Sequence, residues 1–110
     1  MTVTERLDRA ATALELERSD VARIVEANPR TVARWLRREV EPRAEARERL
    51  LEVVPVLERL AGTVRPAAAH DWLFTPNRDL DHHKPVDLLR QGEYRRVLGA
   101  VDALAEGVFV

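Results

Sequence analysis

Apolar residues recur every three or four positions along nearly the whole chain, a pattern typical of amphipathic helices that bury one face. The first stripe covers residues 7–14, and Thr4 is placed to cap that helix. The second stripe covers residues 21–25, with Ser19 as the expected cap. No segment of useful length alternates as a β-strand does, and no internal repeat is present. The pattern predicts an all-α fold.

Asn28-Pro29 marks the start of a third helix, because Asn caps well and proline at the first helical position loses no needed hydrogen bond. We expect this helix to reach about Arg38 and to bury Val32, Trp35 and Leu36. Together the second and third helices have the arrangement of a helix-turn-helix.

A fourth helix is expected from near Arg43 to Leu60, with Pro55 kinking or splitting it. Residues 62–66 are the best candidate boundary. The chain then divides into a helix-turn-helix bundle at 1–64 and a small helical domain at 65–110.

The second half predicts short helices at 67–74 and 86–91, a polar link at 77–85, and a last helix over 93–106. Gly92 should stop the helix before it. We expect a second small core to form against the last helix, from Trp72, Leu73, Leu80, Leu88 and Leu89.

Composition indicates the compartment in which the protein works. The chain has 110 residues, no cysteine and a net charge of −1. It opens on charged sequence without a signal peptide pattern, and no apolar run is long enough to span a membrane. We therefore expect a cytoplasmic protein without disulfides or thiol chemistry.

Positive charge collects around the third helix, where residues 23–38 contain five arginines and one acid. Such a patch indicates a local anionic partner. The predicted DNA-contacting residues are those on the open face: Arg30, Thr31, Arg34, Arg37 and Arg38. The alternative is that these arginines are only the solvated face of a structural helix.

Residues 20–35 resemble the Xre-type helix-turn-helix, especially Ala22 and the run Thr31-Val32-Ala33-Arg34-Trp35. One departure is that Glu26 or Ala27 stands where many such motifs place a glycine in a left-handed turn.

The C-terminal half carries the more specific pattern: Trp72-Leu73-Phe74-Thr75-Pro76-Asn77, Leu80, Pro85-Val86-Asp87-Leu88-Leu89, Gly92-Glu93-Tyr94, Val97-Leu98 and Ala105-Glu106-Gly107. These residues resemble the toxin-binding domain of the Xre/MbcA/ParS-type antitoxins, and the MbcA-type members most closely. The resemblance implies that this chain is an antitoxin that covers the active site of a RES-domain, NAD-degrading toxin. Some members of the family also bind the operator DNA of their own operon.

On this basis the predicted toxin-binding residues are Trp72, Pro76, Asn77, Arg78, Tyr94, Glu106, Gly107, Val108, Phe109 and Val110. The apolar segment 108–110 follows a flexible glycine, so it either folds back on its own core or enters a partner's cleft. For Trp72 and Gly92 the alternative is a role in the fold alone.

Other chemistry finds little support. His70, His82 and His83 lack the spacing of a metal site, and no nucleophile-base set or glycine-rich phosphate loop is present. We expect no metal, no cofactor and no enzymatic activity. A homodimer within a larger toxin–antitoxin complex is expected, since helix-turn-helix proteins usually read two half-sites. The competing interpretation is a helix-turn-helix transcriptional regulator without a toxin partner.

Overall fold

The computed structural model describes residues 1–107, and these residues are helical, as the sequence predicts. Val108, Phe109 and Val110 lie outside the described residues. Seven α-helices follow one another within 1–107: α1 (Val3–Ala13), α2 (Arg18–Val25), α3 (Pro29–Leu36), α4 (Ala44–Ala61), α5 (Pro66–Phe74), α6 (Pro85–Arg90) and α7 (Tyr94–Gly107). A short 3₁₀ helix (Arg78–Leu80) lies between α5 and α6.

The helix starts show why two predicted caps were wrong. Thr2, not Thr4, caps α1, because its hydroxyl accepts the Glu5 amide at 3.1 Å while the Glu5 carboxylate accepts the Thr2 amide at 2.8 Å. This reciprocal pair satisfies two otherwise free amides. Similarly α2 begins after Glu17, whose amide donates to Asp20, so Ser19 lies inside the helix. The predicted cap of α3 is confirmed: Asn28 Oδ1 accepts the Arg30 amide at 2.8 Å.

Pro55 does not split α4, which runs unbroken from Ala44 to Ala61. Proline lacks an amide hydrogen, so the Leu51 carbonyl one turn earlier has no helical donor. Both Pro55 and Leu51 are exposed, so water can reach that carbonyl. The exposed position makes the proline tolerable.

The expected second core does not exist as a separate unit. Within residues 1–107 one cluster of buried side chains includes members of every helix, among them Leu7, Ile24, Leu57, Leu73 and Val97. The helix α4 explains this, since it packs against both α1 and α7. The two halves thus share one core. The division of the chain into a helix-turn-helix part at 1–64 and a toxin-binding part at 65–110 stays a prediction.

The helices α4 and α7 lie side by side in the same direction. Tyr94 at the start of α7 shares a groove with Glu52 of α4, and later in both helices Arg59 Nε lies 2.8 Å from Asp102 Oδ1. Within the described residues no helix is long and apolar enough to cross a membrane.

Candidate functional site

The helix α3 presents the first candidate surface, which was predicted to contact DNA. Val32 and Trp35 face the core, as expected, with Trp35 only 5% exposed. Arg30 and Arg34 are exposed on the opposite side, and Thr31 is half-buried. The sequence thus folds into an amphipathic helix whose outer face carries guanidinium groups.

Acidic residues neutralise part of that face. Arg37 Nε lies 2.9 Å from Glu39 Oε2, and Arg34 Nε lies 3.8 Å from the other oxygen of the same carboxylate. Arg38 lies just beyond the helix and reaches back to Glu5 of α1 at 2.7 Å. Hydrogen bonds from Thr2, aided by the Arg38 charge, hold the pKa of Glu5 below its ordinary value. Among the predicted DNA-contacting arginines, Arg30 alone makes no ion pair within residues 1–107.

The turn between α2 and α3 has an unusual backbone. Glu26 adopts the left-handed conformation, with φ 55° and ψ 49°, at the position where related motifs favour glycine. The turn closes α2 through a hydrogen bond from the Ala27 amide to the Ala22 carbonyl at 3.0 Å. This is the usual geometry of a helix end that needs one left-handed residue. The helix-turn-helix thus forms here without glycine.

Two arginines that sequence analysis did not single out cap this helix end. Arg49 Nη1 of α4 donates to the Val25 carbonyl at 3.0 Å, and Arg90 Nη1 of α6 donates to the Arg23 carbonyl at 3.0 Å. Carbonyls at a helix C-terminus lack helical donors and carry partial negative charge, so guanidinium groups stabilise them. These contacts join residues 24 and 67 positions apart, which local patterns do not reveal.

Asn77, a predicted toxin-binding residue, holds the link between α5 and α6 together. Its side-chain oxygen accepts the Asp79 amide at 2.8 Å, its amide donates to the His83 carbonyl at 3.0 Å, and its carbonyl accepts the His82 amide at 2.8 Å. Pro76 and Arg78 on either side are exposed. Asn77 therefore shapes a compact loop that presents its two neighbours to solvent.

Trp72 is half-buried and packs against the core from α5. His70 and Phe74, one turn apart in α5, contact α2: the His70 ring stacks on Phe74 at 4.7 Å, His70 Nε2 lies 3.5 Å from Asp20 Oδ1, and Arg23 stands 5.2 Å above the Phe74 ring. These contacts attach α5 to α2. Within residues 1–107 no group of three metal-binding side chains is present.

Tyr94 and Glu106 lie at opposite ends of α7, about 18 Å apart by the rise of a helix. Tyr94 is half-buried, and burial raises the pKa of its hydroxyl. Its neighbour Leu51 of α4 is a large apolar side chain that is 43% exposed. The groove around them is lined by Glu45, Glu48, Arg49, Leu51, Glu52 and Tyr94.

Glu106 and Gly107 are exposed in the last turn of α7, and Gly107 is still helical. The buried positions of α7 end at Val101. The predicted toxin-binding residues therefore do not converge on one pocket. Those within residues 1–107 spread over α5, the loop and both ends of α7.

Comparisons with known proteins agree with this architecture. Residues 57–107 match the family described as the antitoxin Xre/MbcA/ParS C-terminal toxin-binding domain. The mycobacterial cidal antitoxin MbcA of Mycobacterium tuberculosis is 48% identical over 97 residues, which is 88% of this chain and 86% of that protein. A probable mycobacterial cidal antitoxin of the same organism is 31% identical over 113 residues, covering 94% of this chain and 96% of the relative.

The structural comparison extends over the full length. The fold superposes on a chain of the crystal structure of the M. tuberculosis MbcT-MbcA toxin-antitoxin complex with a TM-score of 0.85 and 44% sequence identity, covering 100% of this chain and 99% of that one. Sequence identity at this level, over both halves of the chain, establishes the fold and the family. The chain belongs to the Xre/MbcA/ParS family of antitoxins.

Proposed function

We propose that this chain is the antitoxin of a type II toxin–antitoxin system, acting in the cytoplasm on a RES-domain toxin that degrades NAD. Blocking the toxin's active site is the proposed mode of neutralisation. The observation that carries the proposal is the near-complete superposition on a chain of the MbcT-MbcA toxin-antitoxin complex at 44% identity.

The proposed toxin contact runs along the outer side of α5, the following loop and α7. Pro76, Arg78 and Glu106 are exposed there, while Trp72 and Tyr94 keep part of their rings at the surface. Partly buried aromatic rings are rigid, amphipathic anchors of the kind that dominate protein interfaces. The segment 108–110, with Phe109 as the proposed anchor in the toxin's cleft, follows directly after the last turn of α7.

Co-expression with the neighbouring toxin gene tests this function. The gene product should arrest growth alone and be tolerated together with this chain, and the purified pair should lose the NAD-consuming activity of the free toxin. Arg78→Ala should weaken inhibition, whereas Arg65→Ala, which removes another exposed arginine of the same half, should not. A neighbouring protein that consumes no NAD, or that this chain leaves active, would contradict the proposal.

We further propose that the antitoxin binds operator DNA as a homodimer and autoregulates its operon. Support comes from the α2–α3 arrangement, the capped start of α3 and the exposed Arg30 at its first turn. The same features favour a second candidate, a DNA-binding regulator without a toxin partner. The co-expression experiment separates the two, because only the first candidate rescues growth.

A further inference from the structure

Three arginines from three different helices line one open groove beside the α2–α3 turn. Arg23 comes from α2, Arg49 from α4 and Arg90 from α6, and the groove has a volume of about 520 Å³. We call it the arginine groove. Its other lining residues are Ser19, Ala22, Glu26, Ala27, Asn28 and Pro29.

The three guanidinium groups are held in place by the protein's own backbone and rings. Arg49 and Arg90 each donate through Nη1 to a carbonyl at the end of α2, and Arg23 stands over the Phe74 ring. A guanidinium has five N–H donors, so one such bond leaves most of its donors for another ligand. Fixed arginines lose little side-chain entropy when they bind an anion.

Positive charge continues from this groove along the first turns of α3. A second groove of about 470 Å³ shares Glu26, Asn28 and Arg49 with the first, and adds Arg34, Arg43 and Glu41 to the charged lining. Together the two grooves are lined by five arginines and two acids, with the first groove at the start of α3 and the second extending along the helix to Val40 and Glu41. Of these five arginines, Arg34 alone makes an ion pair within residues 1–107, since its Nε lies 3.8 Å from Glu39.

We propose that the phosphate backbone of duplex DNA runs through the arginine groove, so that Arg90, a residue of the C-terminal half, is a DNA contact. This inference rests on the proposed DNA binding by α3. The first residues of a recognition helix enter the major groove, and the phosphates beside that groove then lie next to the helix N-terminus. In this chain that place is occupied by Arg23, Arg49 and Arg90.

Contacts with DNA phosphates can be counted from the salt dependence of the binding affinity. Each guanidinium–phosphate contact adds about one unit to the slope of log affinity against log salt, independently of DNA sequence. Binding of the full-length chain to a duplex of arbitrary sequence, measured by fluorescence anisotropy at several salt concentrations, gives this slope. We expect Arg23→Gln and Arg90→Gln each to lower it by about one.

Arg23→Gln does not remove the hydrogen bond that Arg90 donates, because the acceptor is the backbone carbonyl of residue 23. Two further variants separate the effect of charge from an effect on folding. Arg90→Lys keeps the positive charge and should keep most of the slope. Arg65→Gln, which removes an exposed arginine that lines neither groove, should leave the slope unchanged. Wild-type slopes for both glutamine variants would overturn the inference while the proposed DNA binding stands.

The remaining outcomes also decide the question. If the wild-type chain binds no duplex at all, the proposed DNA binding and this inference fail together. If Arg23→Gln and Arg90→Gln reduce toxin binding and leave DNA binding unchanged, the groove belongs to the toxin contact, and the inference is wrong.

Discussion

Arg90 of α6 donates a hydrogen bond from Nη1 to the backbone carbonyl of Arg23 in α2, over 3.0 Å and 67 positions along the chain. The acceptor belongs to the helix-turn-helix, and the donor to the half predicted to bind the toxin. The contact supplies a positive group to a helix C-terminus, where it is favoured by the helix dipole. The same bond therefore caps the C-terminal end of α2 and attaches the second half of the chain to it.

The first prediction concerns base reading by α3. Replacing Arg30 and Arg34 by alanine should weaken operator binding by about 1–3 kcal/mol for each arginine that reads a base. Arg30 should have the larger effect, since Arg34 lies near Glu39. Titration of DNA from upstream of the chain's own gene measures the loss. Toxin neutralisation should be unaffected, and wild-type operator affinity in the double variant would show that α3 is not the recognition helix.

The second prediction has the opposite sign. Glu39→Gln should strengthen binding to any duplex at low salt, because it releases Arg37 and Arg34 from their shared carboxylate and removes a charge that repels phosphate. Anisotropy titrations at low and high salt check this, and the gain should fade as salt rises. Glu15→Gln is the control, since Glu15 is exposed in the turn after α1, makes no ion pair within residues 1–107 and lines neither groove beside α3. Weaker binding by Glu39→Gln would contradict a DNA-facing role for these arginines.

The third prediction concerns the C-terminal residues. Deleting residues 107–110 should reduce inhibition of the toxin more than tenfold, since a central aromatic anchor is worth about 2 kcal/mol or more. The melting temperature should change little, because Gly107 is exposed and the buried side chains of α7 end at Val101. NAD consumption and thermal unfolding on the purified proteins give both quantities. Full inhibition by the shortened chain would remove the segment from the toxin contact, and unfolding would assign it to the chain's own core.

The fourth prediction concerns the left-handed turn. Because Glu26 is exposed, substitutions there act mainly through the backbone. Glu26→Gly should be more stable than Glu26→Val by at least about 1 kcal/mol, since a β-branched residue is strained at positive φ. Denaturant unfolding measures the difference. At Arg47, an exposed position inside α4, the order should reverse, because valine is the better helix former there.

The fifth prediction uses the ion pair between α1 and α4. Arg6 Nη2 lies 2.6 Å from Glu58 Oε1, and this hydrogen bond lowers the pKa of Glu58. Because the pKa of Glu58 is lower in the folded chain than in the unfolded chain, the ion pair stabilises the fold at any pH above the unfolded-state pKa. This stabilisation is lost as the pH falls through the folded-state pKa. Glu58→Gln should cost up to about 1 kcal/mol near neutral pH, as for other exposed pairs, and nothing in strong acid. Denaturant unfolding of Glu58→Gln and of the reference variant Glu48→Gln, measured from neutral to strongly acidic pH, checks this. A loss of stability that is the same at every pH would contradict the prediction.

Sequence reasoning identified the helices, the Asn28 cap and the stop at Gly92, where φ is +82°. These features depend on neighbouring residues, whose periodicity and backbone preferences are visible along the chain. It wrongly expected a separate small core against α7, because the contacts of α4 with both halves exist only after folding. It also missed the pairing of Arg38 with Glu5, 33 positions away, and the capping roles of Arg49 and Arg90, for the same reason.

Because the two halves share one core, a partner that stabilises one half also stabilises the other. A toxin that binds only the folded chain stabilises it by mass action, by about 2.7 kcal/mol when free toxin is a hundredfold above Kd. Since α3 and α4 both pack against α1 and α2, this gain also protects α3, the helix proposed to contact DNA, against global opening. Under the proposed autoregulation, the amount of repressor would then follow the amount of toxin through protein turnover alone. Hydrogen exchange of the α3 amides, with and without toxin, measures that protection directly.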